Sequence, residues 1–185
     1  MSIRFNEGTA AYNLMYHLMH VAEFPYDSLN LIGNSDWLKR VVRRMVNKSY
    51  LSIVGKSENK SIRLRKKGVE KGKELFGQEV YDYYMEVSEG RRFRGEEARI
   101  WRNHRDAEVV SFLLNNNVKM LPSQKPILKL QGDNSYKLPT KEMWYYTSKE
   151  IKQVDSNGLL KVAFTRIKGV LFSPSGIYCV YNTNK

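Results

Sequence analysis

Residues 34–65 read NSDWLKRVVRRMVNKSYLSIVGKSENKSIRLR, and the fold that the sequence predicts follows from this stretch. On a helix with about 100° per residue, its first half separates into an apolar side and a cationic side. The apolar side contains Trp37, Leu38, Val41, Val42, Met45 and Val46, and the opposite side contains Lys39, Arg40, Arg43, Arg44 and Asn47. We expect the apolar side to pack on a core, so that four cations and one amide face outward together. Asn34 or Ser35 is a suitable N-cap for this helix.

Two short segments of alternating apolar and polar residues follow the helix, at Leu51–Val54 and Ser61–Arg65. The alternation predicts two strands and places Arg63 and Arg65 on the exposed face or near its rim. The polar turn between the strands, within Val54–Ser61, is rich in lysine and serine. A helix, a strand, a turn and a strand with this charge pattern are typical of a winged helix-turn-helix, in which the turn is the wing.

The residues around this stretch complete a predicted domain over 1–77. Residues 1–8 are expected to be a loose lead-in. Helical spacing of apolar residues, with Pro25 as a boundary, predicts further helices at 9–24, 26–32 and 66–76. A helical connector is predicted over 78–121, with helices at 78–87 and 96–116.

The last segment, 122–185, is predicted to be a small α/β or hairpin-containing domain, which makes the fold class α+β. Trp144–Tyr146 indicates a strand, and Ser148 is expected to cap a short helix that ends at Val154. Residues 160–164 fit either a strand or a helix. The segment 169–181 predicts a hairpin, because proline and glycine occupy suitable positions of its turn, Ser173–Gly176.

The positive charge of the chain is concentrated in one window. The formal net charge is +12, and residues 39–73 contain 13 basic residues against Glu58 and Glu70. The rest of the chain is therefore nearly neutral. One localised cationic surface on a neutral body favours a polyanionic ligand, most commonly nucleic acid. A solvated helix face beside a lysine-rich linker is the simpler alternative interpretation.

Several classes of protein are disfavoured by the sequence. It contains no run of about 18 uncharged apolar residues, so we expect no membrane span, and charged residues interrupt any candidate signal peptide. The single cysteine, Cys179, excludes an internal disulfide and suits a cytoplasmic protein. His17 and His20 are three residues apart, but no third metal ligand lies near them in the sequence. We therefore expect no metal site and no cofactor.

Three later segments add a family resemblance to the winged-helix pattern. They are RNHRDAEV at 102–109, YYTSKEIK at 145–152 and RIKGVLFSPSGIYCVYNT at 166–183. In this order, from about residue 12 onward, the chain resembles the replication-relaxation proteins of Gram-positive plasmids and conjugative elements. The resemblance implies a DNA-binding accessory factor for replication or transfer of a mobile element. Members of that family continue well past residue 185, so the C-terminal domain is expected to be truncated here.

The leading functional hypothesis is sequence-specific binding of double-stranded DNA without enzymatic activity, in replication, transfer or transcriptional control. The base-reading candidates are Arg40, Arg43, Arg44 and Asn47, because arginine pairs with guanine and asparagine with adenine in the major groove. Phosphate contacts are expected from Lys56, Lys60, Arg63 and Lys66, whose contribution should fade as salt rises. The full set of predicted DNA-binding residues adds Ser35, Lys39 and Arg65.

Two alternatives remain open. Glu150-Ile151-Lys152 fits an acidic-x-lysine signature of metal-dependent nucleases, with Asp133, Glu142 or Asp155 as further ligands. The nuclease signature is expected on a strand, whereas this triplet follows Ser148, a helix-capping residue. The second alternative, which is compatible with DNA binding, is a homodimer formed through the Tyr81–Tyr84 helix and the terminal hairpin, with replication or transfer proteins as further partners.

Overall fold

The computed structural model describes residues 3–89, 97–128, 138–154 and 167–181. The fold class is α+β, as predicted. The chain divides into two compact units, 1–112 and 113–185. Each unit contains a three-stranded antiparallel sheet. The segment predicted as a helical connector is thus shared between the two units.

Among its described residues, the first unit contains a small sheet and five α-helices, the last of which continues into the second unit. Its elements are α1 (Ala10–Leu18), β1 (Phe24–Pro25), α2 (Ser35–Asn47), β2 (Leu51–Val54), β3 (Ser61–Leu64), α3 (Lys66–Phe76), α4 (Gln78–Ser88) and α5 (Glu97–Asn115). The strand order is β1–β3–β2. The predictions for α2, for both strands beside the turn and for α3, α4 and α5 are confirmed to within one or two residues.

Helix α2 follows the predicted pattern except at two positions of its apolar side, because Val46 is only half-buried and Trp37 is exposed. The Asn34 side chain accepts a hydrogen bond of 2.9 Å from the Trp37 backbone N–H, which caps the helix as expected. The buried stripe consists of Leu38, Val41, Val42 and Met45. Trp37 was expected on the packed side, but it is 48% exposed. The reason is angular, because this position lies roughly 90° around the helix from the centre of the buried stripe.

The first helix is shorter than predicted. It ends at Leu18, and residues Phe24–Pro25 form strand β1, whose Phe24 pairs with Ile62 of β3. The prediction of a helix through Phe24 was wrong because this segment gains more from pairing with β3 and burying Phe24 completely. Pro25 is tolerated because β1 is an edge strand, where a missing N–H breaks no ladder. The predicted second helix is a 3₁₀ helix, Tyr26–Leu31.

Residues 3–8 do not form the loose lead-in that was predicted for 1–8. We call residues 3–9 the arm. The Phe5 ring packs edge-on against Tyr50 with ring centroids 5.3 Å apart. The Thr9 hydroxyl donates to the Asn6 carbonyl at 2.7 Å and accepts from the Tyr12 N–H at 3.3 Å, so it also caps α1. The arm is therefore held against the body of the first unit.

Helix α3 packs closely on its neighbours through glycine. A Cβ atom at Gly72 would meet the thioether of Met19, which is fully buried. Only a residue without a side chain fits at this position, so the glycine determines how near α3 can approach the segment after α1. The core beneath is apolar, with Leu14, Met15, Leu18, Phe24, Leu29, Leu38, Met45, Leu51 and Ile62 almost fully buried.

Among its described residues, the second unit contains the sheet β4–β5–β6, one short α-helix besides the end of α5, and the 3₁₀ helix Pro122–Gln124. Its elements are β4 (Trp144–Thr147), α6 (Ser148–Val154), β5 (Ile167–Ser173) and β6 (Gly176–Tyr181). The predicted hairpin is confirmed, with Ser173 paired to Gly176 across the turn. Its core is formed by Tyr146, Ile151, Val170 and Phe172. The predictions for 160–164 fall outside the described residues.

The cap of α6 is one residue earlier than predicted. Thr147, not Ser148, accepts a hydrogen bond of 3.2 Å from the Glu150 N–H through its hydroxyl. The Glu150 carboxylate in turn accepts a hydrogen bond of 2.8 Å from the Thr147 N–H. This reciprocal pair is a capping box, which binds two backbone donors that a lone Ser148 cap would leave without a partner.

Candidate nucleic-acid interface

The exposed side of α2 presents three polar side chains along one line. Arg40, Arg43 and Asn47 are all exposed and lie at helical spacing. We call these three residues the α2 face. Within the described residues, none of the three side chains makes a hydrogen bond or ion pair with the protein. The opposite, buried side of α2 holds the backbone, so the α2 face is rigidly presented and its polar groups are available to a ligand.

The residues at the start of α2 have a different environment. Ser35 is the first helical residue and is half-buried. The Lys39 ammonium lies 4.0 Å from the Asp36 carboxylate, and Asp36 itself is exposed. An exposed pair at this distance is weak, so Lys39 keeps most of its capacity for an anion.

Arg44 lies on the flank of α2 beside Trp37. Its guanidinium carbon is 5.9 Å from the centre of the indole ring. Both residues line an open cleft of about 570 Å³ between α2, the first turn of α1 and the arm. The complete lining is Ile3, Arg4, Thr9, Ala10, Ala11, Trp37, Val41 and Arg44. We call this the arm cleft. Arg4 was not predicted as a site residue, because only packing of the arm brings it to α2. Trp37 was not predicted either, because it was assigned to the packed side of the helix.

The turn between β2 and β3 is held in a defined conformation. Gly55 has φ +80°, and a Cβ there would meet the Asn59 carbonyl, so the turn requires glycine. The Tyr26 N–H donates a hydrogen bond of 2.9 Å to the Lys60 carbonyl, and the Lys60 ammonium lies 4.2 Å from the centre of the Tyr26 ring. The Asn59 amide donates to Glu97 of α5 at 3.0 Å. Lys56 remains exposed near the tip.

Arg63 differs from the other predicted site residues because its internal partner is a buried carboxylate. Its Nη2 atom is 2.6 Å from the Glu23 carboxylate, and Glu23 is completely buried. Asn103 of α5 donates to the other carboxylate oxygen of Glu23 at 2.7 Å. Buried charges require such partners, so Arg63 neutralises Glu23. Its predicted phosphate contact would have to compete with this pair.

A second buried contact lies beside this pair. The Nε2 atom of His104 in α5 forms a hydrogen bond of 2.6 Å with the Ser61 hydroxyl of β3. Burial lowers the pKa of His104, although the carboxylates of Glu23 and Glu108 oppose that shift. The imidazole is therefore neutral at pH 7 and serves as a hydrogen-bonding group. These polar contacts join α5 to the sheet.

The beginning of α3 adds further cations. Arg65 is the N-cap residue and Lys66 the first helical residue, and both are exposed. Lys67, which was not among the predicted residues, donates to the Lys48 carbonyl at 3.1 Å and lies 4.5 Å from the Tyr50 ring. No acidic residue occupies the first turn of α3. A helix N-terminus disfavours cations, so this cluster has no stabilising role in the isolated helix.

The residues of the predicted nuclease signature are engaged in the structure of the second unit. Glu150 lies on helix α6 and forms both the capping box and an ion pair of 2.7 Å with Lys125. The carboxylate of Glu142 accepts a hydrogen bond of 3.4 Å from the Trp144 indole. Asp133 and Asp155 fall outside the described residues. Within the described ranges, no group of three histidine, cysteine or acidic side chains could hold a metal ion.

The buried lysine of that ion pair is fully satisfied. The Lys125 side chain is 2% exposed, and its ammonium also donates to the Tyr145 carbonyl at 2.7 Å. Burial lowers the pKa of Lys125, and the Glu150 carboxylate opposes this shift. Burial and the nearby Glu150 charge raise the pKa of Tyr146 to about 12, and its hydroxyl donates to the Pro126 carbonyl. These groups stabilise the fold of the unit.

The chain was compared with protein-family models, curated proteins and solved structures, and none of them matched it. In the part of the chain that the structure describes, no helix combines the length and apolar character needed to cross a bilayer.

Proposed function

We propose that the first unit is a winged helix-turn-helix domain that binds double-stranded DNA, with α2 in the major groove. The observation that carries this proposal is the α2 face, where two arginines and an asparagine project together without partners among the residues that the structure describes. A helix with side chains is about 10–12 Å wide, and the major groove is about 12 Å wide. The face is therefore the right size and charge to reach base edges.

The order of elements supports the same proposal. Helix α1, strand β1, a 3₁₀ turn and helix α2 are followed by the antiparallel strands β2 and β3, and β1 pairs with β3. In this arrangement α2 is the recognition helix and the turn 55–60 is the wing. The fixed conformation of the turn suits a wing that approaches the DNA backbone next to the groove occupied by α2.

The roles within the proposed interface follow from chemistry. Arg40 and Arg43 would read guanine, and Asn47 would read adenine, each through paired hydrogen bonds. Phosphate contacts would come from Lys39, Lys56, Lys60, Arg65 and Lys66, with Ser35 as a neutral donor at the helix start. The cations at the start of α3 are unfavourable for that helix alone, and a bound polyanion would remove this penalty.

Fluorescence anisotropy with labelled duplex DNA over a salt series tests the proposal. Replacing Arg40 and Arg43 by alanine should weaken binding at least ten-fold, since each base contact contributes about 1–3 kcal/mol. Arg102→Ala is the matched control, because Arg102 is another exposed helical arginine outside the proposed interface. Binding by the wild-type chain that does not weaken as salt rises, or an unchanged affinity in the double variant, contradicts the proposal.

The biological setting that we propose rests on the resemblance to replication-relaxation proteins. It makes the chain an accessory factor for replication, transfer or transcriptional control of a mobile element. Such a role would involve further proteins, and many DNA sites have two-fold symmetry that a homodimer matches. Light scattering of the protein with and without duplex DNA measures the oligomeric state directly. A strictly monomeric complex at saturation contradicts the homodimer.

A further inference from the structure

The arm cleft combines two guanidinium groups with an exposed aromatic ring. Arg4 enters it from the arm and Arg44 from α2, while Trp37 forms one wall. The indole is 48% exposed, which is unusual for the largest apolar side chain. Two cations beside a half-exposed ring match a ligand with an anionic group and an adjoining flat or apolar part.

The position of the cleft relative to the α2 face identifies the ligand further. At about 100° per residue, Trp37 and Arg44 lie on one flank of α2, roughly 70–90° from the middle of the line formed by Arg40, Arg43 and Asn47. When the centre of a helix faces base edges, its flanks face the walls of the groove. Those walls are sugar–phosphate backbone.

We propose that the arm cleft holds one phosphodiester and its deoxyribose from the DNA strand bordering α2. Arg4 and Arg44 contact the phosphate, and Trp37 packs against the sugar. This inference rests on the proposed function and deepens it, because it moves Arg44 from base reading to backbone positioning. It also gives the arm a role in fixing the depth and register of α2 in the groove.

The position of the Arg4 backbone is fixed by contacts that do not involve the Arg4 side chain. The Thr9 hydroxyl donates to the Arg4 carbonyl at 3.2 Å and to the Asn6 carbonyl at 2.7 Å, and Phe5 packs on Tyr50. The Arg4 side chain itself is exposed. Arg4→Ala should therefore leave the fold intact, which makes it the informative substitution.

The test measures DNA affinity and Trp37 emission in the same full-length protein. Trp101 and Trp144 are replaced by phenylalanine, so that Trp37 is the single tryptophan. Duplex DNA should quench Trp37 emission. Arg4→Ala should lower DNA affinity about five- to twenty-fold and reduce the salt slope by about one, as expected for one lost phosphate. Arg4→Lys should keep most of the affinity, and Arg102→Ala should change nothing.

The outcomes separate this inference from the proposed function. If the Arg40 and Arg43 variant loses DNA binding but Arg4→Ala does not, the winged-helix proposal stands and the arm cleft assignment is overturned. Quenching of Trp37 by free deoxyadenosine monophosphate, without any effect of Arg4→Ala on DNA affinity, also overturns it in favour of a nucleotide site. Absence of DNA binding by the wild-type chain removes both proposals.

Discussion

The arginines of the α2 face and Lys125 of the second unit carry the same charge in opposite surroundings. Arg40 and Arg43 are exposed and make no contact with any acidic group among the described residues. Lys125 is buried, and its ammonium bonds both to Glu150 and to a backbone carbonyl. A cation whose partners are all internal contributes to stability, whereas a cation presented without partners is available for a ligand. Substitutions at Lys125 should therefore lower stability, whereas substitutions at the α2 face should lower DNA affinity.

Replacing Lys125 by methionine should have the largest effect on stability. The change leaves the Glu150 carboxylate without its charge partner, and breaking a buried ion pair costs about 3–5 kcal/mol. Because Glu150 is partly exposed, we expect a loss near the lower limit, about 3 kcal/mol. Urea unfolding followed by Trp144 fluorescence, with the other tryptophans replaced by phenylalanine, measures this loss within the second unit.

Two variants control that experiment. Lys141→Met removes an exposed lysine of the same unit and should change the unfolding free energy by less than about 0.5 kcal/mol. Adding Glu150→Gln to Lys125→Met removes the unpaired charge and should restore part of the stability. A loss below 1 kcal/mol in Lys125→Met would show that the buried pair does not distinguish this region from the α2 face.

The buried polar groups of the first unit should also make its stability depend on pH. Burial lowers the pKa of His20 to about 4, against a hydrogen bond to the Tyr16 carbonyl that acts in the opposite direction. Between pH 6.5 and about 4, the unfolded chain binds a proton at His20 that the folded chain does not. Stability is therefore complete above pH 6.5 and falls as the pH decreases through this window, by roughly 3 kcal/mol.

Urea unfolding of the wild type and of His20→Gln at pH 7 and pH 4.5 isolates this contribution. Other groups, including His104, titrate in both proteins, so the difference between the two acid-induced losses reports His20. The loss should be smaller by about 2 kcal/mol in the variant. Equal losses in the two proteins would mean that His20 does not remain neutral in the folded state at pH 4.5.

The sequence predicted those parts of the fold that depend on local patterns. Helix α2, its Asn34 cap and the two strands beside the turn follow from residues within a few positions of each other. Strand β1 was missed because Phe24 and Pro25 pair with β3, almost 40 residues away, and a two-residue strand has no periodicity. The pairing of Arg63 with Glu23 was missed for the same reason.

The candidate site shows the same limit. Exposure of Arg40, Arg43 and Asn47 follows from the helical angle alone, so it was predictable. Arg4 and Trp37 line the same cleft because the arm is held in place, and Phe5 of the arm packs against Tyr50, a contact between two segments without a shared sequence signal. The helical angle also places Trp37 at the margin of the apolar stripe of α2, so its exposure could have been predicted.

The smallest effect is expected in helix α3, where one substitution should raise stability and lower DNA affinity. Lys66 lies at the N-terminus of the helix, where the dipole disfavours a cation, and Lys73 lies in the last turn, where the dipole favours one. Lys66→Ala should raise the unfolding free energy by about 0.3–1 kcal/mol and weaken DNA binding.

Lys73→Ala, the matched control, should lower stability by a similar amount, because the Lys73 ammonium lies in the favourable last turn and also 4.8 Å from the Tyr81 ring. Thermal unfolding and anisotropy on both variants measure the two quantities. If Lys66→Ala lost stability and kept its DNA affinity, the cations at the start of α3 would belong to the fold rather than to the proposed interface.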